Sequence, residues 1–358
     1  MNQPPTAFDP KQAKVVHQWK GPSPLIACCF DPHDKFVVAA AENRQVLRWT
    51  IPDGKLDAWD GHESWPRCLA ASSTRPIVVS GGSDDLLIWW DTDSSPAKPI
   101  RKLEAHKGWI RSVAVSSDGN LLASAGNDGR VRLWELESAR PLAEWGDHER
   151  EIYSVRFHPD GKSIFSGDLM GNVIRRALPS GRILQKFAAQ ELHSYNVGQR
   201  VDFGGVRDIA VRPDGRRIAA AGLFKATNPL GAVHQPLVLL FDLQPKEQAE
   251  PKTSEDANKD AKAQMDTKGA RKHESNVAGK HFSDLKGVAS RVVYVSNEWL
   301  VGVTGGTSGG YLLFWQPGSE KPVVQFKLPD IARGMDVDSS GRLFATAHYD
   351  RHVRITSV

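Results

Sequence analysis

His62, His106 and His148 stand 44 and 42 positions apart, and each precedes a serine (Ser80, Ser124 and Ser166) by 18. A return at nearly fixed spacing constrains this chain more than its composition does. A unit repeated in this way folds as an array in which each copy buries its apolar surface against the next. The third unit shows what is repeated. Ile110 to Val115 alternates, Ser117-Asp118-Gly119 turns, and Leu121 to Ser124 extends. Asn127-Asp128-Gly129 then turns again, and Val131 to Trp134 extends before Pro141 to Trp145. These are four short strands joined by hairpins. The Asp-Gly steps supply the positive φ that tight turns demand, and they recur in His158-Pro159-Asp160-Gly161 and Arg212-Pro213-Asp214-Gly215.

Gly61-His62, Trp90-Asp91 and the run from Leu121 to Glu135, LLASAGNDGRVRLWE, resemble WD40 repeats, and the likeness extends over nearly the whole chain. The resemblance implies an all-β fold, a seven-bladed β-propeller of four-stranded antiparallel blades. Inner strands then begin near Leu25, Trp65, Trp109, Glu151, Val206, Val288 and Ile331. The segment His352 to Val358 aligns with a third strand, so the last blade lacks an outer strand of its own. Lys14 to Trp19 has the pattern to supply it, which leaves no sheet edge open.

Residues 1–13 read as an N-terminal tail and 14–358 as the propeller. The stretch from about 244 to 283 is rich in Lys, Glu, Gln, Asp, Ala and Ser and almost free of aromatics. It reads as a disordered insertion, because it has too little apolar surface to offset the entropy of ordering.

His62, Ser80 and Asp84, and again His106, Ser124 and Asp128, contain the three residue types of a serine hydrolase. The set occurs twice at the same offsets, each time with a tryptophan (Trp90, Trp134) ten residues after the serine, and duplication of a whole catalytic centre is improbable. The resemblance implies a buried structural relay from Trp to Ser to His to Asp, so no catalytic residue is assigned. Unit four has Met170 and Arg176 where unit three has Asp128 and Trp134. In unit seven, Thr346 and Asp350 lack the matching histidine.

Aligning the inner strands places Ile26, Arg67, Arg111, Tyr153, Arg207 and Arg333 on one circle, with Ser290 or Arg291 from unit six. Trp65, Trp109 and Glu151 stand two positions earlier, on the rim. Arginine beside tryptophan is the composition of a binding hot spot. Carboxylates of the same chain, such as Glu63, Asp208 or Asp336, could instead neutralise the arginines. With those guanidiniums free, the partner-binding set is Arg67, Arg111, Arg207, Arg333, Tyr153, Trp65 and Trp109. The partner is another protein, through an acidic or phosphorylated segment, and the chain acts as a monomeric, non-enzymatic scaffold within a larger complex. A nucleic acid or other polyanion is the alternative ligand.

Lys plus Arg exceeds Asp plus Glu by only 46 to 42, too little for binding by bulk charge. No apolar run is long enough for a membrane span, and Pro4, Pro5, Asp9 and Pro10 interrupt the start, so membrane association is not expected and a cytoplasmic address is. The three cysteines, Cys28, Cys29 and Cys68, have no CxxC spacing and read as buried thiols. The Gly-rich run Thr304 to Gly310 leads into a strand rather than a helix, which suits a hairpin and not a phosphate loop. No metal site or cofactor is assigned.

Overall fold

A computed structural model describes residues 8–224, 234–243 and 277–358. Its strands form seven four-stranded antiparallel sheets and one separate two-stranded hairpin. The inner strands are Leu25–Phe30, Pro66–Ala71, Ile110–Val115, Ile152–Phe157, Asp208–Val211, Val288–Tyr294 and Ala332–Val337. Each packs beside the next and the seventh beside the first, so the blades, numbered one to seven in that order, close a ring. Lys14–Lys20 is the outer strand of blade seven, pairing antiparallel with His352–Ser357.

The middle strands are buried on both faces because a neighbouring blade covers each of them, and most are apolar. Ile77–Gly82 and Leu86–Asp91 of blade two are of this kind. Between blades two and three, Cys68, Val79, Leu87, Trp89, Ile110, Val113, Leu122 and Trp134 form one buried cluster. Outer strands have one open face and alternate instead: in Lys14–Lys20 every second residue is exposed. Gly119 and Gly129 take φ of +70° and +69° at the two turns of blade three, where a side chain would be strained.

One sequence expectation changes. Val277–Phe282 pairs with Gln235–Asp242 as the outer strand of blade five, so the chain has rejoined the propeller by residue 277, ahead of the expected limit at 283. The rest of that insertion, 244–276, lies outside the described residues. Within the 1–13 tail, Asp9 caps a short 3-10 turn at Pro10–Gln12, and the Phe8 ring lies 5.5 Å from Trp299 and 6.3 Å from Phe314 of blade six. The hairpin His193–Asn196 with Val201–Gly204, between blades four and five, has no counterpart in the repeat.

Candidate functional site

In six blades the inner strand carries a β-bulge near its start. The ladder skips one residue there: Ile26, Arg67, Arg111, Tyr153, Ser290 and Arg333. A bulge leaves its residue unpaired and re-aims the side chain. The repeated bulge is therefore what turns the aligned positions to one mouth of the channel. It also assigns Ser290, not Arg291, to that circle. Arg207 stands at the matching place in blade five, next to the start of its inner strand.

Side chains at this mouth form an alternating series. Arg67 lies 5.8 Å from the Trp65 ring centre and 3.9 Å from that of Trp109. Arg111 is 5.3 Å from Trp109 and 4.3 Å from Tyr153, and Arg207 is 4.4 Å from Tyr153 on its other side. Ring faces and guanidinium planes thus hold each other in register, each contact worth about 0.5–2 kcal/mol according to its exposure. Arg67 Nε also donates to Ser83 Oγ at 2.5 Å and Arg111 Nε to Asn127 Oδ1 at 2.5 Å, both neutral acceptors.

Among the described residues none of these three guanidiniums has a carboxylate in ion-pair contact. The acidic residues that could have neutralised them are engaged elsewhere or absent from their contacts. Asp208 pairs with Arg156 and Arg291, and Asp336 accepts from the Phe30 N–H. Burial lowers the pKa of Arg67 and Arg207. That of Arg111 is pushed down to about 10, by burial first and then by the repulsion of Arg207 and Arg67. All three stay charged at neutral pH.

Arg333 is different: its Nη1 donates to Glu42 at 2.6 Å, and its guanidinium covers the Tyr349 ring at 4.7 Å. It is neutralised within the chain, so the free set on the circle is Arg67, Arg111 and Arg207. Trp65 and Trp109 remain 42% and 40% exposed. The extra hairpin adds Tyr195, Val197 and Val201 to the exposed apolar surface, and Gly205 at its base fits where a β-carbon would stand 2.8 Å from the Tyr153 ring.

The hydrolase-like triplets are buried networks in the structure. His62 Nδ1 donates to Asp84 at 2.9 Å, Ser80 Oγ donates to His62 Nε2 at 2.7 Å, and Trp90 Nε1 donates to Ser80 Oγ at 2.9 Å. His106, Asp128, Ser124 and Trp134 repeat this at 3.0, 2.7 and 2.9 Å. Ser80 and Ser124 have no exposed surface. His62, Ser64 and Glu63 anchor Asp84 so firmly that its carboxyl stays below the usual range despite burial.

Two further relays were not legible in the repeat. In blade four Asp168, two positions before Met170, takes the acidic place, bonding His148 Nδ1 at 2.8 Å while Ser166 bonds Nε2 at 2.8 Å. In blade seven the histidine comes from the second strand: His348 Nε2 meets Thr346 Oγ1 at 2.8 Å, and Nδ1 donates to the Asp330 carbonyl at 3.0 Å. Both ring nitrogens of His348 are thereby occupied, so the grouping of Asp330, His348 and Asp350 has no free imidazole ligand for a metal.

One consequence is measurable. Asp128 accepts from His106, from the backbone N–H of Lys107 and Arg130, and from Arg132 at 2.6 Å. Asp128→Ala orphans these donors and is expected to cost on the order of 1–3 kcal/mol. Urea titration reads this, and an unshifted midpoint would show that the relay does not stabilise the blade.

The family described as "WD domain, G-beta repeat" matches residues 54–91, 97–135 and 139–175. Each matched unit spans the outer strand of one blade and the first strands of the next, so the sequence repeat staples adjacent blades. An uncharacterized WD repeat-containing protein of Schizosaccharomyces pombe is 24% identical over 103 residues, which is 27% of this chain and 28% of that protein's length. Propellers of this family typically serve as protein-interaction scaffolds and are generally non-enzymatic. Among the described residues no helix is long and apolar enough to cross a membrane.

Proposed function

This chain is a WD40-repeat β-propeller, and on that premise we propose that it is a non-enzymatic interaction module which grips an acidic or phosphorylated segment of another protein at the Arg67–Arg111–Arg207 mouth. The observation that supports this reading is that, among the described residues, no carboxylate makes an ion pair with three partly desolvated guanidiniums held against aromatic rings. Charges so placed are attractive to an anion, because the protein has already met much of the desolvation cost and has fixed the donors in place. Trp65 and Trp109 beside them offer apolar area for the residues that flank the anionic group. Arg333, with Glu42 on it, contributes little to this attraction.

The test is a titration followed by the fluorescence of the exposed tryptophans, using an aspartate- and glutamate-rich peptide and a phosphoserine peptide of equal length. Arg67→Ala/Arg111→Ala/Arg207→Ala is expected to weaken binding by at least about a hundredfold, from roughly 1 kcal/mol or more lost at each of the three charged contacts. Arg333→Ala should change it less than threefold. No binding of either peptide, or equal binding by the triple variant, would reject the mouth. Tighter binding of a single-stranded oligonucleotide of matched charge, falling steeply with salt, would replace the protein partner by a polyanion.

A further inference from the structure

At the end of the channel away from Arg67 and Trp109, the inner strands enclose a cavity of about 470 Å³. It opens beside Ser117 and Pro159, in the turns that follow the inner strands of blades three and four. That volume lies within the range of small-molecule sites.

Its floor is charged and its collar is apolar. Arg156 of blade four and Arg291 of blade six line the floor, and both lean on a single carboxylate behind them, Asp208 of blade five. Asp208 Oδ1 accepts from Arg156 Nη2 at 2.8 Å and from Arg291 Nη1 at 3.4 Å, while Oδ2 accepts from the Val292 N–H at 3.0 Å. Asp208 is 1% exposed and fully used, whereas the two guanidinium side chains retain 22% and 30% of their surface. Asp336 of blade seven also faces the cavity. It accepts from Phe30 N–H at 2.9 Å and makes no ion pair among the described residues; burial raises its carboxyl pKa against the opposing pull of the Phe30 N–H, Arg291 and Arg156. Arg156 and Arg291 thus share one ion-pair partner, and both keep side-chain surface at the cavity that can donate to a further acceptor. Nearer the opening stand Ala71, Val115, Phe157, Val211 and Tyr294.

The geometry points to a second binding site here, for a small monocarboxylate with an apolar body, its carboxylate on Arg156 and Arg291 and its body against Phe157, Val211 and Tyr294. One carboxylate can accept from two guanidiniums that otherwise share a single ion-pair partner. A phosphate dianion would bring its second charge against the Asp208 carboxylate, and a neutral apolar molecule would desolvate the guanidiniums without return. The site is independent of the Arg–aromatic mouth at the other end.

Ligand-observed NMR of the full chain tests it with three probes: benzoate, benzyl alcohol of the same shape without the charge, and inorganic phosphate. Benzoate is expected to bind at least about tenfold more tightly than either of the others, a gap of about 1.4 kcal/mol. Arg291→Gln should weaken benzoate by at least about tenfold, while Arg67→Ala/Arg111→Ala/Arg207→Ala leaves it unchanged. Absence of benzoate binding at millimolar concentration, equal binding of benzyl alcohol, tighter binding of phosphate, or an Arg291→Gln variant that binds like the parent would each overturn the site. Should Arg291→Gln fail to fold, the comparison of the three probes on the unaltered protein decides alone.

Discussion

Asp208→Ala is expected to lower the unfolding free energy by about 3–5 kcal/mol, the cost of breaking a buried ion pair from one side. The carboxylate joins three blades: it belongs to blade five, holds Arg156 of blade four at 2.8 Å, and holds both Arg291 and the Val292 N–H of blade six. Without it, two guanidiniums share one channel with no ion-pair partner between them, and a buried backbone donor is orphaned. Because both guanidiniums retain contact with the cavity, water recovers part of the loss, which favours the lower end of the range. Asp208→Asn separates the contributions. The amide oxygen still accepts from Val292 or from one arginine, so about half of the loss should return, and what remains reports on charge. Guanidinium chloride unfolding measures both variants. An Asp208→Ala midpoint equal to the parent's would mean that the three blades are held by apolar packing alone.

This junction was hidden from the sequence for a physical reason. Arg156, Asp208, Arg291 and Asp336 are lone charges in four different strands, far apart along the chain, and only closure of the ring makes them neighbours. What was legible is what repeats. The Asp-Gly turns, the Trp–Ser–His–Asp spacing and the aligned start of each inner strand all follow from the module. Closure by Lys14–Lys20 followed from counting strands.

Departures from the module were missed because the alignment presupposes it. Asp168 sits two positions away from the expected acid, and His348 enters its relay from the strand and not from the preceding loop. The extra hairpin at His193–Gly204 has no repeat to match. Ser290 and Arg291 could not be separated by spacing, since a bulge adds one residue to a strand without leaving a mark in the pattern. The pairing of Arg333 with Glu42 spans 291 residues across the closure between blades seven and one, beyond any local reading.

Acid should weaken this propeller between about pH 6.5 and 4, before the carboxylates of its relays titrate. His348 and His281 are buried and neutral, and burial is the main cause that holds both down to about 4. For His348 the Arg354 cation adds to this, against the opposing pull of the Asp330 carbonyl, Asp350 and Asp330. For His281, stacked at 5.5 Å on Trp315, Arg217 adds and the Ser319 carbonyl opposes.

In the unfolded chain a histidine titrates near 6.5, so between about pH 6.5 and 4 the unfolded state binds more protons and stability falls as pH falls. Each group contributes about 3 kcal/mol that is present above pH 6.5 and gone by pH 4. Asp84, Asp128 and Asp168, whose carboxyls lie below the usual range, lose their share only further down, as pH drops below about 4. Asp336 has the opposite sign, its raised carboxyl favouring the native state on protonation, and it moderates the slope. Denaturant unfolding at intervals from pH 7 to pH 4 measures the slope, and His348→Gln, which can still bond Thr346, should remove about half of it. A flat profile, or an unchanged slope in His348→Gln, would show that these imidazoles accept a proton without leaving their native partners.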